Sequence, residues 1–335
     1  MNTVLVTGGT GFVGGHAILH LLRNGYAVRT TVRDVTRAAP VREMVAAEGV
    51  AAGEHLSFVV ADLESDDGWQ EAVEGCEFVL HVASPFPLQH TGHEDDLIRP
   101  ARDGTLRVLR AAHAAGVKRV VYVSSFGAIG YGHAGDGPFL EECWTNVDAA
   151  DVQPYVKSKT LAERAAWGFV EGEGRGLELV SVNPAGIFGP ALRTGTSSSI
   201  GIIKSMLDGY MPVAPPIYFG VVDVRDVADL LLRAATTPQA AGERFIAVAG
   251  EPLSLLDVAK ALHHGLGERA VKAPHTELTE ADARHIATEN PQAAGWLPQL
   301  GIVRRTNSEK ARTVLGWNPR PADDAIVASG ESLLR

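Results

Sequence analysis

Cysteine is nearly missing: Cys76 and Cys143 are the only two, far apart in the chain, so neither a disulfide framework nor a cysteine metal site is expected. Both read as free thiols in a reducing cytoplasm. Basic excess is also lacking. Thirty Lys and Arg against forty Asp and Glu leave a formal charge of −10, which repels phosphate backbones and anionic lipid and excludes nucleic acid and membrane surfaces as partners. No stretch approaches the ~20 apolar residues of a membrane span. The start, MNTVLVTGGTGF, lacks basic residues and carries only a short apolar run, so it reads as a strand entering a glycine turn and not as a signal peptide. A Gly-Lys-Ser/Thr pair is absent too, which argues against a P-loop. No internal repeat is found.

What is present is an alternation. Short β-rich runs are predicted at Thr3–Thr7, Ala27–Val32, Leu56–Ala61, Phe78–Val82, Val120–Ser124 and Leu177–Asn183. Helices are predicted at His16–Asn24, Asp67–Glu74, Thr105–Ala115 and Tyr155–Glu171. Strands rich in Val, Leu and Phe that alternate with helices belong to a doubly wound parallel sheet of the Rossmann type, an α/β fold. After Pro190 the pattern changes. Thr194–Ser199 and the proline-bearing Gly209–Phe219 suggest a flap, Gly220–Val224 a return to the sheet, and Pro252–Arg335 a mostly helical remainder. The expected division is a dinucleotide-binding domain of residues 1–190 plus about 220–250, with a discontinuous substrate lobe of about 191–219 plus 251–335.

The glycine turn Gly8-Gly9-Thr10-Gly11-Phe12-Val13-Gly14 joins the first strand directly to a helix. Glycines there allow a tight turn and close approach of a pyrophosphate to the helix N-terminus. The second strand ends Thr31-Val32-Arg33-Asp34. A carboxylate at Asp34 would hold the 2′-hydroxyl of NAD, whereas Arg33, with Arg37 and Arg29 nearby, would pair with the 2′-phosphate of NADP. Arg33 comes first, and NADP is the expected cofactor. Asp62 closes the third strand and either accepts from the adenine amino group or caps its own turn. Leu63 and the small residues at Val82, Ala83 and Ser84 border the expected cofactor path.

Tyr155 and Lys159 stand four apart on a predicted helix, hence on one face about 6 Å apart along the axis. An ammonium there favours the phenolate and would bring Tyr155 towards working pH. Tyr-x-x-x-Lys alone is common by chance. Here the fifth strand also delivers Ser124 and Ser125 to the carboxyl edge of the sheet, where ligands bind, so that Ser125 can hold a carbonyl oxygen while Tyr155 supplies a proton.

Together, Thr7–Gly14, Val32-Arg33-Asp34, His81–Pro85, Ser124-Ser125, Leu140–Trp144, Tyr155–Glu163, and Asn183-Pro184 with Gly189-Pro190 resemble the extended short-chain dehydrogenase/reductases. The likeness is to the dihydroflavonol 4-reductase and cinnamoyl-CoA reductase branch and its bacterial aldehyde/ketone reductase relatives. It spans roughly residues 2–190 and continues weakly through Val222–Ala228 and Asn307–Trp317. The resemblance implies a seven-stranded Rossmann domain, a Ser125-Tyr155-Lys159 triad with Lys159 also on the nicotinamide ribose, and NADPH with its 2′-phosphate at Arg33. It further implies Pro184 with Ala185, Gly186 and Ile187 beside the carboxamide, and Cys143-Trp144 near the substrate. Gly130 stands where plant members carry an asparagine, and Pro40 where a further basic residue is expected.

The expected activity is therefore NADPH-dependent reduction of an aldehyde or ketone, reversibly an alcohol dehydrogenation. The substrate is small, no metal takes part, and the protein is cytoplasmic, monomeric or homodimeric. Phe86, Tyr131, Ile187, Tyr210 and Tyr218 are expected around an apolar substrate. A nucleotide-sugar epimerase or dehydratase using Arg193 and Arg225, and a non-catalytic NADP-sensing protein, are the alternatives.

Overall fold

The computed structural model describes residues 2–85, 93–192, 197–290 and 293–335. In chain order the Rossmann core begins with β1 (Thr3–Thr7), α1 (Phe12–Arg23), β2 (Ala27–Val32), α2 (Ala38–Ala47), β3 (Leu56–Val60), α3 (Trp69–Val73) and β4 (Cys76–His81). It continues through α4 (Asp95–Ala114), β5 (Arg119–Val123), α5 (Pro154–Glu171) and β6 (Glu178–Pro184). There follow β7 (Gly186–Phe188), α6 (Ser198–Asp208), β8 (Tyr218–Phe219), β9 (Val221–Asp223), α7 (Val224–Thr236) and β10 (Arg244–Ala247). The chain ends with β11 (Leu253–Ser254), α8 (Leu255–Leu266), α9 (Glu280–Glu289), α10 (Glu309–Leu315) and α11 (Ala322–Leu333).

Seven strands form one parallel sheet in the order β10-β6-β5-β4-β1-β2-β3. Successive strand residues face opposite sides, and the sequence fills both. Val4 and Val6 pack with Ile18 of α1, Val41 of α2 and Leu230 of α7. Leu5 packs on the other face with Trp69 of α3, Val108 and Leu109 of α4 and Ala162 and Ala166 of α5. A separate core joins Ile203 of α6, Val258 and Leu262 of α8 and Ile326 of α11. None of the described helices is long and apolar enough to cross a membrane.

Three expectations change. Gly220–Val224 does not return to the main sheet: β9 pairs with β7 in a two-stranded sheet of its own, and the seventh strand is β10. The helix expected at Thr105–Ala115 starts ten residues earlier, at Asp95, and runs through Pro100. Pro100 is the sixth residue of this helix, so it gives up the hydrogen bond that an amide there would donate to the Asp96 carbonyl. Helix α2 was not among the expected helices; its Pro40 lies in the first turn, where its fixed φ suits a helix.

Candidate active site

A cleft of about 710 Å³ runs along the carboxyl edge of the sheet. At one end it is lined by Gly8, Thr10, Gly11, Phe12, Val13 and Gly14. Here the glycines answer a spatial demand. Gly8 has φ +72, and a Cβ on it would lie 2.9 Å from the Ala83 Cα; a Cβ on Gly14 would lie 2.2 Å from the Gly8 carbonyl oxygen. Gly11 caps α1 in an extended conformation with no side-chain cap and no acid in the first turn, so the helix offers its amides to the cleft.

Arg33 lies on the cleft wall, and Asp34 does not. The Asp34 carboxylate accepts from the Thr36 amide at 2.7 Å and the Thr36 hydroxyl at 2.6 Å, bonds that hold its pKa below the usual value. The acid that would favour NAD is thus engaged in shaping its own turn. Arg29, expected to add charge here, instead donates to the carbonyls of Glu71, Ala72 and Glu74 at the end of α3. Arg37 is exposed, precedes α2, and is not among the residues lining the cleft. Asp62 and Leu63 line the cleft, and Asp62 Oδ1 accepts the Glu64 amide at 3.1 Å. Val82, Ala83 and Ser84 follow along the wall, tied to β1 by the Ala83 amide donating to the Thr7 hydroxyl at 2.9 Å.

Ser125 and Tyr155 line the same cleft, as do Pro184, Ala185, Gly186 and Ile187. The Ser125 oxygen accepts the Gly127 amide at 3.0 Å, which leaves its proton for a ligand. Ser124 also lines the cleft, but its hydroxyl donates to Glu163 Oε2 at 2.5 Å and is not offered to a ligand. Tyr155 sits in the first turn of α5, behind Pro154. Lys159, one turn on, is buried beneath the cleft and is not part of its lining. The spacing continues to Glu163, fully buried one turn further, so three reactive side chains form a stripe from cleft to core.

Electrostatics alters one expectation. Burial pushes the Tyr155 phenol up to about 12, with Tyr131 adding to the rise, rather than down towards neutrality. Burial also lowers Lys159 to about 8, opposed by Glu163. His81, buried at the end of β4, is lowered to about 3 by burial, with the Lys159 charge adding. Its Nδ1 meets the Thr7 hydroxyl at 2.9 Å. The neutral ring therefore adds no second cation next to Lys159.

Sequence reasoning missed the hub beneath these groups. Glu163 accepts from Ser124, from Ser181 at 2.8 Å, from Asn183 at 2.7 Å, from Trp167 at 3.3 Å and from Arg244 Nε at 2.7 Å. Asn183 also donates to the Ser125 carbonyl at 3.1 Å, so the hub reaches the site. A glutamate two turns into an amphipathic helix looks solvated in sequence; the signal of its burial was the polar Ser181 and Asn183 inside an apolar strand.

At the outer end the cleft is bounded by Tyr131, Gln153, Tyr218, Phe219, Gln299 and Arg304. Tyr210 is corrected: it is 82% exposed and lies off the cleft, because Gly209 turns the chain outward at the end of α6. Phe86 and Arg193 fall outside the described residues. Cys143 packs behind Tyr131 and Phe126, whereas Trp144 stacks on Arg244 at 3.9 Å, and neither lines the cleft. Arg225 forms a two-pronged pair with the buried Asp223, which removes it as a contact for a sugar diphosphate. Gly130 has a packing reason, since a Cβ there would lie 2.5 Å from the Phe126 ring.

Among family models, that of the NAD dependent epimerase/dehydratase family matches residues 4–249. The chain is 36% identical to the cinnamoyl-CoA reductase CAD2 of Medicago truncatula, covering 99% of this chain and 95% of that protein. It is 33% identical to the ketoreductase azaE of Aspergillus niger, covering 99% and 97%. Among solved structures, yeast methylglyoxal/isovaleraldehyde reductase Gre2 complexed with NADPH superimposes with a TM-score of 0.81 at 26% identity, covering 99% of this chain and 98% of that one.

Proposed function

We propose that this chain, which belongs to the NAD dependent epimerase/dehydratase family, reduces the carbonyl of an aldehyde or ketone through Ser125, Tyr155 and Lys159. It is an NADPH-dependent carbonyl reductase, an oxidoreductase of the extended short-chain type, as its full-length relatives are reductases. The observation that carries the residue assignment is that Ser125 and Tyr155 line the same cleft as the Gly8–Gly14 turn and Arg33.

The residues fit NADP(H). The turn leaves no room for a Cβ at Gly8 or Gly14, as a backbone that cradles a pyrophosphate requires. Arg33 would hold the 2′-phosphate, Asp62 and Leu63 would border the adenine, Val82 to Ser84 would border the cofactor path, and Pro184 to Ile187 would flank the carboxamide. The bound cofactor supplies the hydride. Ser125 donates a hydrogen bond to the substrate oxygen and orients it. Tyr155, protonated across the working range because burial pushes it up to about 12, donates the proton that completes the alcohol. Lys159 places a positive charge behind that phenol and stabilises the phenolate formed when the proton leaves.

We assign the binding of cofactor to residues 1–190 with about 220–250, and that of substrate to about 191–219 with 251–335. Tyr131, Ile187 and Tyr218 support a small, largely apolar substrate. A formal charge of −10 supports an enzyme without a nucleic-acid partner, and the two free cysteines support a cytoplasmic one, working as a monomer or homodimer. The test is NADPH oxidation against a panel of aldehydes and ketones, with Tyr155→Phe as control. The variant should lose roughly 10²- to 10⁴-fold in kcat while binding NADPH as before. A near wild-type kcat would overturn the assignment.

A further inference from the structure

Four charged side chains line the cleft among the described residues: Arg33, Asp62 and Glu64 at the end near the glycine turn, and Arg304 at the substrate end. Arg304 is only 8% exposed. Its one side-chain hydrogen bond among the described residues is from NH1 to Gln299 Oε1 at 2.9 Å, and its guanidinium lies over the Tyr131 ring at 4.0 Å. No described carboxylate lies within ion-pair distance, and Asp151 acts on it only from further away.

The other deeply buried arginines among the described residues are matched. Arg119 has Glu178 at 2.7 Å and three carbonyls of the α7 end within 3.0 Å, and Arg244 has Glu163. Withdrawing a guanidinium from water without an anion is unfavourable, and among the described residues the fold does so at one position, on the wall of the substrate cleft. Stacking commits a face of the guanidinium to Tyr131 and leaves donors on its edge, in the planar fork that matches a carboxylate. One cation also balances one monoanion; a phosphate dianion would call for a second, and no other described cation lines this end.

We propose that Arg304 is a specificity-determining residue that selects carbonyl substrates bearing a carboxylate, with Tyr131 holding the guanidinium in place on the cleft that Tyr155 also lines. This rests on the reductase reading and deepens it. The substrate class is an oxo acid whose carboxylate sits at Arg304 while its ketone or aldehyde reaches Ser125 and Tyr155.

The experiment compares kcat/KM for an aromatic oxo acid and for its methyl ester in the parent, Arg304→Met and Arg304→Lys. The parent should prefer the acid by roughly ten- to a hundredfold, the range of a hydrogen bond to a charged group. Arg304→Met should bring the ratio near one while still reducing the ester, and Arg304→Lys should restore part of the preference. A merely structural role would lower both substrates together and leave the ratio unchanged, which overturns the proposal, as does a parent that prefers the ester. Should Arg304→Met not fold, inhibition of the parent decides: benzoate competing with the carbonyl substrate where benzamide does not supports the proposal, and equal inhibition overturns it. Failure of the reductase reading shows separately, as turnover retained by Tyr155→Phe.

Discussion

Replacing Glu163 by Gln tests whether the buried hub positions the site. The carboxylate takes five donors, three on Oε1 (Ser181, Trp167, Arg244) and two on Oε2 (Ser124, Asn183). A glutamine must turn its NH2 towards one set. Facing it at Trp167 and Arg244 opposes two groups that can only donate, so the amide settles opposite Ser124 and Asn183. Ser124 can rotate its hydroxyl to accept. Asn183 cannot flip without giving up the Ser125 carbonyl at 3.1 Å. One buried donor is therefore orphaned, and Arg244, pinned by the Cys143 carbonyl at 2.7 Å and the Trp144 ring, loses its counter-charge.

Breaking one partner of a buried pair costs about 3–5 kcal/mol. With an m-value on the order of 3 kcal/mol/M in urea, the unfolding midpoint should fall by about 1–1.7 M at unchanged m. In a double-mutant cycle with Arg244→Met, the coupling should exceed about 1 kcal/mol. Well below the melting range, kcat should fall by roughly ten- to a hundredfold, because a shift of about 1 Å at Ser125 is costly, while NADPH binding is kept. A Glu163→Gln protein within about 1 kcal/mol of the parent and fully active would refute both the charge balance and the link from hub to Ser125.

Three further outcomes are expected. Gly14→Ala places a Cβ 2.2 Å from the Gly8 carbonyl oxygen and should abolish NADPH binding in a fluorescence titration while the circular dichroism of the fold persists. Arg33→Ala, at an exposed position, should raise the KM for NADPH by roughly tenfold and leave that for NADH unchanged; equal effects would remove the phosphate contact. Lys159 titrates at about 8, so kcat/KM should fall as pH rises through that value, and the fall should vanish in Lys159→Met. Its contribution to stability has the opposite sign: a lysine lowered from 10.5 leaves the unfolded chain binding more protons between about 8 and 10.5, and stability gains across that window.

How legible the site was depends on whether its parts are adjacent in sequence. The glycine turn announces itself because steric demands at Gly8 and Gly14 arise within one loop, and Tyr155 and Lys159 because helical periodicity alone aligns them. Arg244 gave no such signal. It lies 81 residues from Glu163, and β10 joins the sheet beside β6 only through the crossover of α7, so the strand and the counter-ion were both invisible in a local window. The phenol misled for a related reason. An ammonium four residues away was expected to lower its pKa, but burial in the assembled cleft raises it, and the charge interaction with Tyr131 from a distant loop adds to the rise. Arg304 follows the same logic. In sequence it is one of two adjacent arginines, and nothing separates them. In the fold Arg305 is half exposed and pairs with Asp136, while Arg304 turns inward onto Tyr131. Short-range pattern thus reveals groups that act on the cofactor, and long-range assembly determines which charges are buried and what they face.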